Sequence, residues 1–245
     1  MLTAGLTAGL LGAVGPTTAQ AEDADITCTP SQSIFATKPN GELWLYQFND
    51  LSDSNASPVW NAPPKLLGNG WDTFNKLLAG PDGWIYGIRA AANNGGGLFA
   101  YHWNGTKFDV AAKPLGGIFN GWAEPSRLNK ITIDARGDFF LIQDNGGLRR
   151  YVLDSATNTF SSQPLGTGWN VFDSITATGD GVIHARKPAG TLTRYQFEKT
   201  SDRFIHVVQD GASGWQNYPK PPVRRWRHHP RRRCEWPTRA VQVQA

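Results

Sequence analysis

Between Leu67 and Arg89 the chain reads LGNGWDTFNKLLAGPDGWIYGIR: a Gly-Trp turn, a short apolar strand, a Pro-Asp-Gly turn and a second strand. Proline presets the first torsion of that turn, and Asp82-Gly83 suits a tight reversal between two β-strands. The second strand, Trp84-Ile85-Tyr86-Gly87-Ile88, is aromatic and β-branched, as a half-buried pleated surface prefers. The same order then recurs. Gly-Trp stands at Gly70-Trp71, Gly121-Trp122, Gly168-Trp169 and Gly214-Trp215, with the tryptophans 51, 47 and 46 residues apart.

A second marker runs in step with the first: Leu43-Trp44-Leu45-Tyr46, Leu98-Phe99-Ala100-Tyr101, Leu148-Arg149-Arg150-Tyr151 and Leu192-Thr193-Arg194-Tyr195. Between the two lies a turn such as Pro81-Asp82-Gly83, Ala135-Arg136-Gly137 or Gly179-Asp180-Gly181, and units close on Pro114-Leu115-Gly116 or Pro164-Leu165-Gly166. Each unit therefore predicts about four short strands, at a period close to that of propeller blades. One such sheet cannot bury both faces alone, whereas radial repetition packs each blade on its neighbours and leaves only short edges. The expected fold is an all-β propeller over residues 34–218. Its first strand is expected at Ser33-Ile34-Phe35-Ala36, in the second position of a unit. Four Gly-Trp units, plus one strand supplied at closure, predict five blades, the last incomplete. A solenoid of hairpins is the alternative, with no hexapeptide or nonapeptide period to support it.

Composition agrees with short strands and tight turns: 245 residues hold 27 glycines, 16 prolines and 10 tryptophans, and only 18% are charged. The formal charge of +4 hides an asymmetry. Residues 219–245 carry eight Lys or Arg and one Glu, a charge of +7, which leaves 4 − 7 = −3 for the rest. At the other end, Leu2 to Val14 is apolar and too short to span a bilayer, and Ala19-Gln20-Ala21 has the small-x-small form of a signal-peptidase site. A signal peptide over residues 1–21, a short N-terminal segment over 22–33 and export from the cytoplasm are the expectation. Met1 to Ala21 contains no Lys or Arg, so a positive n-region would have to lie upstream.

The stretch Gly68-Asn69-Gly70-Trp71-Asp72-Thr73-Phe74, followed by Pro81-Asp82-Gly83-Trp84-Ile85-Tyr86-Gly87-Ile88, resembles the repeat of the tachylectin-2-like β-propeller lectins. That resemblance covers about Ile34 to Tyr218. It implies a five-bladed propeller with one site per blade for N-acetylglucosamine or N-acetylgalactosamine. The family tends to have Gly-Gly-Trp; here Asn69, Asn120, Thr167 or Ser213 precedes Gly-Trp, and the acid after tryptophan is kept only as Asp72, against Ala123, Asn170 and Gln216.

Sugar binding fits those residue types. A pyranose presents an apolar face and a rim of hydroxyls, so a site needs an aromatic platform with a few fixed polar groups. An acetamido group adds a need for backbone N–H and C=O partners, which a glycine turn lets approach closely. The candidates are Asn69, Gly70, Trp71, Asp72 and Phe74 in the first unit, Asn120, Gly121 and Trp122 in the second, Gly168, Trp169, Asn170 and Phe172 in the third, and Gly214 with Trp215 in the fourth. For the aromatic rings, packing between blades is an equal reading. N-acetylhexosamine glycans are the expected partners of a monomer, with no cofactor, metal, nucleic acid or membrane span. A non-catalytic propeller for protein or cell-envelope contacts is the alternative.

An enzyme is not expected. Five-bladed glycoside hydrolases need carboxylates converging on a funnel, and the candidates Asp72, Asp134, Asp173 and Glu124 occupy different positions of their repeats. No Gly-x-Ser-x-Gly elbow or His-Glu-x-x-His pair occurs. His102, His184 and His206 stand alone on strands.

The last 27 residues abandon the repeat, with PKPPVRRWRHHPRRRCEWPTRAVQVQA after Tyr218. An Arg-rich arm for nucleic acid or anionic glycans is one reading, and a disordered tail is another. The expected reading is a shifted frame. One nucleotide downstream, Trp226 and Trp236 become Gly, His228 and His229 become Ile or Thr, and the codons permit a strand, a Gly turn and a Leu-x-x-Tyr strand. Cys234 would then not be native, leaving Cys28 without that disulfide partner. Sequencing the coding DNA tests this: a displaced frame encoding a Leu-x-x-Tyr strand is expected, and its absence refutes the shift.

Overall fold

A computed structural model describes residues 31–49, 59–60, 63–90, 96–178, 181–210, 213–217 and 243–244. Blade 1 holds β1 (Ser31–Thr37), β2 (Leu43–Asn49), β3 (Val59–Trp60) and β4 (Lys65–Gly68). Blade 2 runs β5 (Lys76–Ala79), β6 (Trp84–Arg89), β7 (Gly97–Trp103) and β8 (Phe108–Pro114). Blade 3 runs β9 (Ile131–Ile133), β10 (Phe139–Ile142), β11 (Leu148–Asp154) and β12 (Thr159–Gly166). Blade 4 runs β13 (Ser174–Ala177), β14 (Val182–Arg186), β15 (Leu192–Glu198) and β16 (Arg203–Asp210). Blades 2 to 4 are antiparallel meanders in chain order. β9 packs against both β5 and β13, so the first strands of successive blades lie innermost.

The all-β propeller is thus present, with four blades among the described residues rather than five. The physical reason lies after the last Gly-Trp. Trp215, of the fourth Gly-Trp, stands where a fifth blade would begin, but the apolar strand and Leu-x-x-Tyr pattern do not follow it, and residues 218–242 are outside the described residues. A final two-residue strand, β17 (Val243–Gln244), pairs with β1 through Ala36 and Thr37. That pairing is parallel, unlike the antiparallel inner pairs of the other blades. The leader, Cys28 and Cys234 also lie outside the described residues.

Alternation along the inner strands explains the core. Leu77 and Ile85 point toward blade 1 and join Phe35, Leu43, Leu45, Trp71, Phe74 and Trp103. Their neighbours Leu78 and Tyr86 point the other way, joining Phe119, Trp122, Ile131, Ile133, Phe139 and Leu141 of blade 3. Phe140 and Ile142, one step along β10, face blade 4 and meet Trp169, Phe172, Ile175, Ile183 and Phe197. A strand whose successive side chains face two different cores reads as a continuous apolar run, as β10 does with Phe-Phe-Leu-Ile. Each fully buried aliphatic or aromatic side chain here contributes roughly 1.5–3 kcal/mol.

Polar groups close the turns between blades. The buried Asp134 carboxylate accepts from the backbone N–H groups of Arg136 (2.9 Å) and Asp138 (3.0 Å), and from Gly181 of blade 4 (3.1 Å). Arg150 pairs with Asp138 at 2.7 Å and reaches Asp202 at 3.3 Å. The strand histidines are engaged locally: His102 with Asp109 and the Asp82 carbonyl, His184 with Thr178.

Burial between blades 2 and 3 pushes the Tyr86 phenol up to about 12, from 10.0. Above pH 10 an unfolded chain gives up this proton while the folded one keeps it, so the contribution present below pH 10 is lost as pH rises toward 12. A Tyr86→Phe variant is expected to lose less stability than the parent between pH 10 and 12, read by denaturant midpoints. Parallel losses in both proteins would contradict it.

Candidate functional site

The Gly-Trp turn is one local structure used several times. Gly70, Gly168 and Gly214 adopt left-handed backbone, with φ of 84°, 82° and 98°, which residues with a Cβ adopt at a cost. Each opens a single turn of 3-10 helix: Trp71–Thr73, Trp169–Val171 and Trp215–Asn217. The tryptophan N–H then donates across to the preceding blade. Trp71 reaches the Gly41 carbonyl at 3.0 Å, Trp169 reaches Gly146 at 2.9 Å and Trp215 reaches Gly190 at 3.3 Å.

The residue after the tryptophan completes the clasp. A Cβ on Gly41 would stand 2.5 Å from Asp72 Oδ1, and one on Gly146 would stand 2.8 Å from Asn170 Oδ1. Gln216 lies against Gly190 in the same way. These receiving glycines are themselves left-handed, with φ of 82°, 78° and 85°. Asp72, Asn170 and Gln216 thus share one position, laid over a bare glycine of the neighbouring blade.

Behind the turn the aromatic rings are core. Trp71 is 6% exposed and packs on Tyr101 at 4.5 Å and Phe108 at 5.7 Å; Trp169, equally buried, packs on Tyr195 at 4.5 Å and Phe204 at 5.5 Å. The tyrosine is that of the Leu-x-x-Tyr strand, so the two sequence markers are the two halves of one contact. Phe74 and Phe172 are buried beside the same rings, and Phe74 occupies space that a side chain at Gly87 would fill. Of the two readings open for these rings, ligand platform or packing, the faces of Trp71, Phe74, Trp122, Trp169 and Phe172 are buried by packing within and between blades.

The second unit is also out of register with its sequence reading. Gly121-Trp122 does not make the Gly-Trp turn. Phe119 takes the place of the tryptophan, packing on Tyr151 at 5.9 Å and Phe160 at 5.1 Å. Asn120 takes the place of Asp72, its Oδ1 2.8 Å from a Cβ on Gly97, and Trp122 takes that of Phe74, three residues on. A signal for this was present: the Leu-Gly that closes each unit precedes Trp71 and Trp169 by three residues, and Gly116 precedes Phe119 by three. In that alignment β9 begins nine residues after Trp122, whereas β5 and β13 begin two after Phe74 and Phe172. Blade 3 therefore carries an inserted segment ahead of its first strand.

Exposed at these junctions are Asn69, Asp72, Asn120, Asn170 and the backbone of Gly168; Gly70 is exposed and Gly214 and Trp215 are half-buried. No hydrogen bond engages the indole Nε1 of Trp71 or Trp169 among the described residues. Gly68 and Gly166 lie beside those nitrogens, where a Cβ would come to 3.7 and 3.9 Å. The Trp71 and Trp169 edges thus offer an indole N–H donor, a carboxylate or amide and a bare backbone, the chemistry of a neutral polar ligand. Asp134 and Asp173 are spent on turn and Arg186 contacts, the latter bidentate at 3.0 and 3.1 Å. Among the described residues no group of three or more His, Cys, Asp or Glu could hold a metal ion, and no helix is long and apolar enough to cross a membrane.

A cleft of about 370 Å³ opens between the inserted segment of blade 3 and the start of blade 4. Pro125, Ser126, Asn129 and Lys130 form one wall, and Asn170, Phe172, Asp173, Arg186 and Pro188 the other. It brings together Asn170 and Phe172, both anticipated from sequence, with Ser126, Asn129, Lys130 and Arg186, which were not.

The family model described as Tachylectin matches residues 26–225. The chain belongs to the Tachylectin family. Membership supports a carbohydrate-binding protein of lectin type. Among solved structures the chain is similar to a protein of unknown function from Dyadobacter fermentans DSM 18053, at 13% identity over 78% of this chain and 72% of that one, with a TM-score of 0.34. It is similar to apo AztD from Citrobacter koseri at 14% identity over 76% and 48% of the two chains, TM-score 0.33. SapL1 lectin, solved in complex with alpha methyl fucoside, matches at 12% identity over 77% and 64%, TM-score 0.34. The chain thus spans about half the length of AztD and just under two thirds of SapL1. No curated protein matches it.

The clasp generates a stability prediction. Gly146→Ala meets both left-handed backbone and the Asn170 side chain, whereas Gly105→Ala, at φ 95°, meets nothing within 4 Å. Gly105→Ala is expected to cost about 1–2 kcal/mol for its backbone alone. Gly146→Ala is expected to cost more, measured by denaturant unfolding; an equal cost would show that the Asn170 contact contributes nothing.

Proposed function

We propose that this family member is an exported, non-catalytic lectin that takes N-acetylhexosamine-containing glycans at the edges of its Gly-Trp turns. The supporting observation is the repetition of one polar edge at the blade junctions. At the Trp71 and Trp169 turns, a left-handed glycine, a carboxylate or amide and bare backbone lie beside a buried aromatic. An acetamido group has one N–H donor and one carbonyl acceptor, and this edge offers partners for both, with the Trp71 and Trp169 Nε1 groups as donors to the carbonyl. Burial of the indole faces favours recognition by hydrogen bonding at the ring edge over stacking. The N-acetyl preference rests on the family resemblance together with that donor and acceptor pairing. Weak sites held in one rigid ring would gain avidity on a polysaccharide surface.

Retention on GlcNAc-agarose and titration calorimetry test the proposal. GlcNAc and GalNAc are expected to bind more tightly than glucose and galactose. Losing a hydrogen bond to a charged group costs roughly 1.5–3 kcal/mol, so Asp72→Ala is expected to weaken its own site tenfold or more. The other sites would be left intact, so the fitted stoichiometry should fall while their affinity stays. Absence of retention at millimolar sugar, or indifference to the acetamido group, refutes the proposal.

A further inference from the structure

The repeat gives every junction the same design, and the junction between blades 3 and 4 departs from it. The inserted segment between Trp122 and Ile131 holds a fixed shape. Lys76 of blade 2 donates to the Leu128 carbonyl and to that of Ile131 at 3.1 Å, while Arg127 donates to the Gly121 carbonyl at 2.9 Å and pairs with Asp144. Its short helical turn Leu128–Lys130 packs on β13. The result is a cleft wall that no other described junction possesses.

The charges around that cleft do not balance. Asp173 is engaged by both nitrogens of the Arg186 fork, which donates further to the Trp215 carbonyl at 3.2 Å. Asp144 is engaged by Arg127; that hydrogen bond holds its carboxyl below the usual range, with the charges of Arg127 and Lys130 adding to the effect. Lys130 lines the cleft, and its ammonium acts on Asp144 through charge. Of the charged residues that line the cleft, Lys130 and Arg186 are cations and Asp173 is a carboxylate, which leaves one positive charge in excess. Pro125 and Pro188 supply apolar surface, and Asn170 and Ser126 supply neutral polar groups. A largely polar cleft with two prolines at its walls, a few neutral polar groups and one positive charge in excess suits a saccharide carrying one anionic group.

We propose that this cleft is an acidic-saccharide subsite, in which Lys130 receives the carboxylate or sulfate of an anionic sugar. The proposal deepens the lectin reading by giving one junction a ligand class different from the others. Lysine acts here as a compact point charge, so either anionic group would serve.

Calorimetry on the full chain with N-acetylneuraminic acid, glucuronic acid and GlcNAc 6-sulfate, each against neutral GlcNAc, tests it. The carboxylate and sulfate arms separate the two sources of charge. An exposed lysine pairing is worth roughly a two- to fivefold preference for the anionic sugar, declining as salt rises. Lys130→Gln should bring the ratio of anionic to neutral affinity to about one, and Lys130→Arg should restore it. Equal affinities in the parent, or a preference that survives Lys130→Gln, overturn the subsite while leaving neutral-sugar binding as its own result. An anionic preference without neutral GlcNAc binding instead sinks the N-acetylhexosamine reading and supports the subsite. Failure to bind any of these sugars overturns both.

Discussion

Blades 2 and 3 are single sheets with apolar side chains on both faces, so neither can be stable except between neighbours. Period-2 alternation along β6 and β10 sends adjacent residues into two different cores, and those strands become continuous apolar runs. The rest of the architecture serves this stacking. The Gly-Trp turn anchors a blade's own aromatic ring against its Leu-x-x-Tyr tyrosine, and its backbone N–H ties that blade to the one before. Because the same residues do both, fold and junction chemistry cannot be varied independently at that point.

Exposed polar groups at the junctions are consequently few and fixed in place. Asp72, Asn120 and Asn170 lie over glycines whose missing side chains make room for them, so each polar group is held against rigid backbone instead of swinging in solvent. Such a group presents its remaining hydrogen-bonding capacity at little entropic cost to a ligand. Indole nitrogens uncovered beside Gly68 and Gly166 follow the same rule, a donor left open because a glycine stands where a side chain would cover it.

Much of the fold was legible in the sequence because its determinants are local. Turn glycines, apolar alternation and paired markers gave the all-β class, the strand order within a blade and the position of β1 in its unit. In the second unit the phase departs from that marked by tryptophan. What the site requires is an aromatic ring three residues past Leu-Gly, and phenylalanine fills it at Phe119. Ring burial was undecidable from residue type, since the same indole suits a sugar platform and a packed interface. Blade count depended on residues after Asn217 that carry no repeat pattern. The charged cleft was invisible because Lys130 and Arg186 are far apart in sequence, and only the docking of one blade on the next brings them to one place.

The inserted segment of blade 3 has a consequence for how such a molecule changes over time. It enters in a connection, ahead of β9 and outside every strand pairing, so no ladder is altered by its presence. Lengthening a connection adds little closure entropy, about 0.6 kcal/mol per doubling. A ring of otherwise equivalent seams can therefore be diversified one seam at a time, each new segment refitting a single cleft while its neighbours keep their shape. A repetitive scaffold of this kind is a route to one molecule that grips several chemically different points on the same surface.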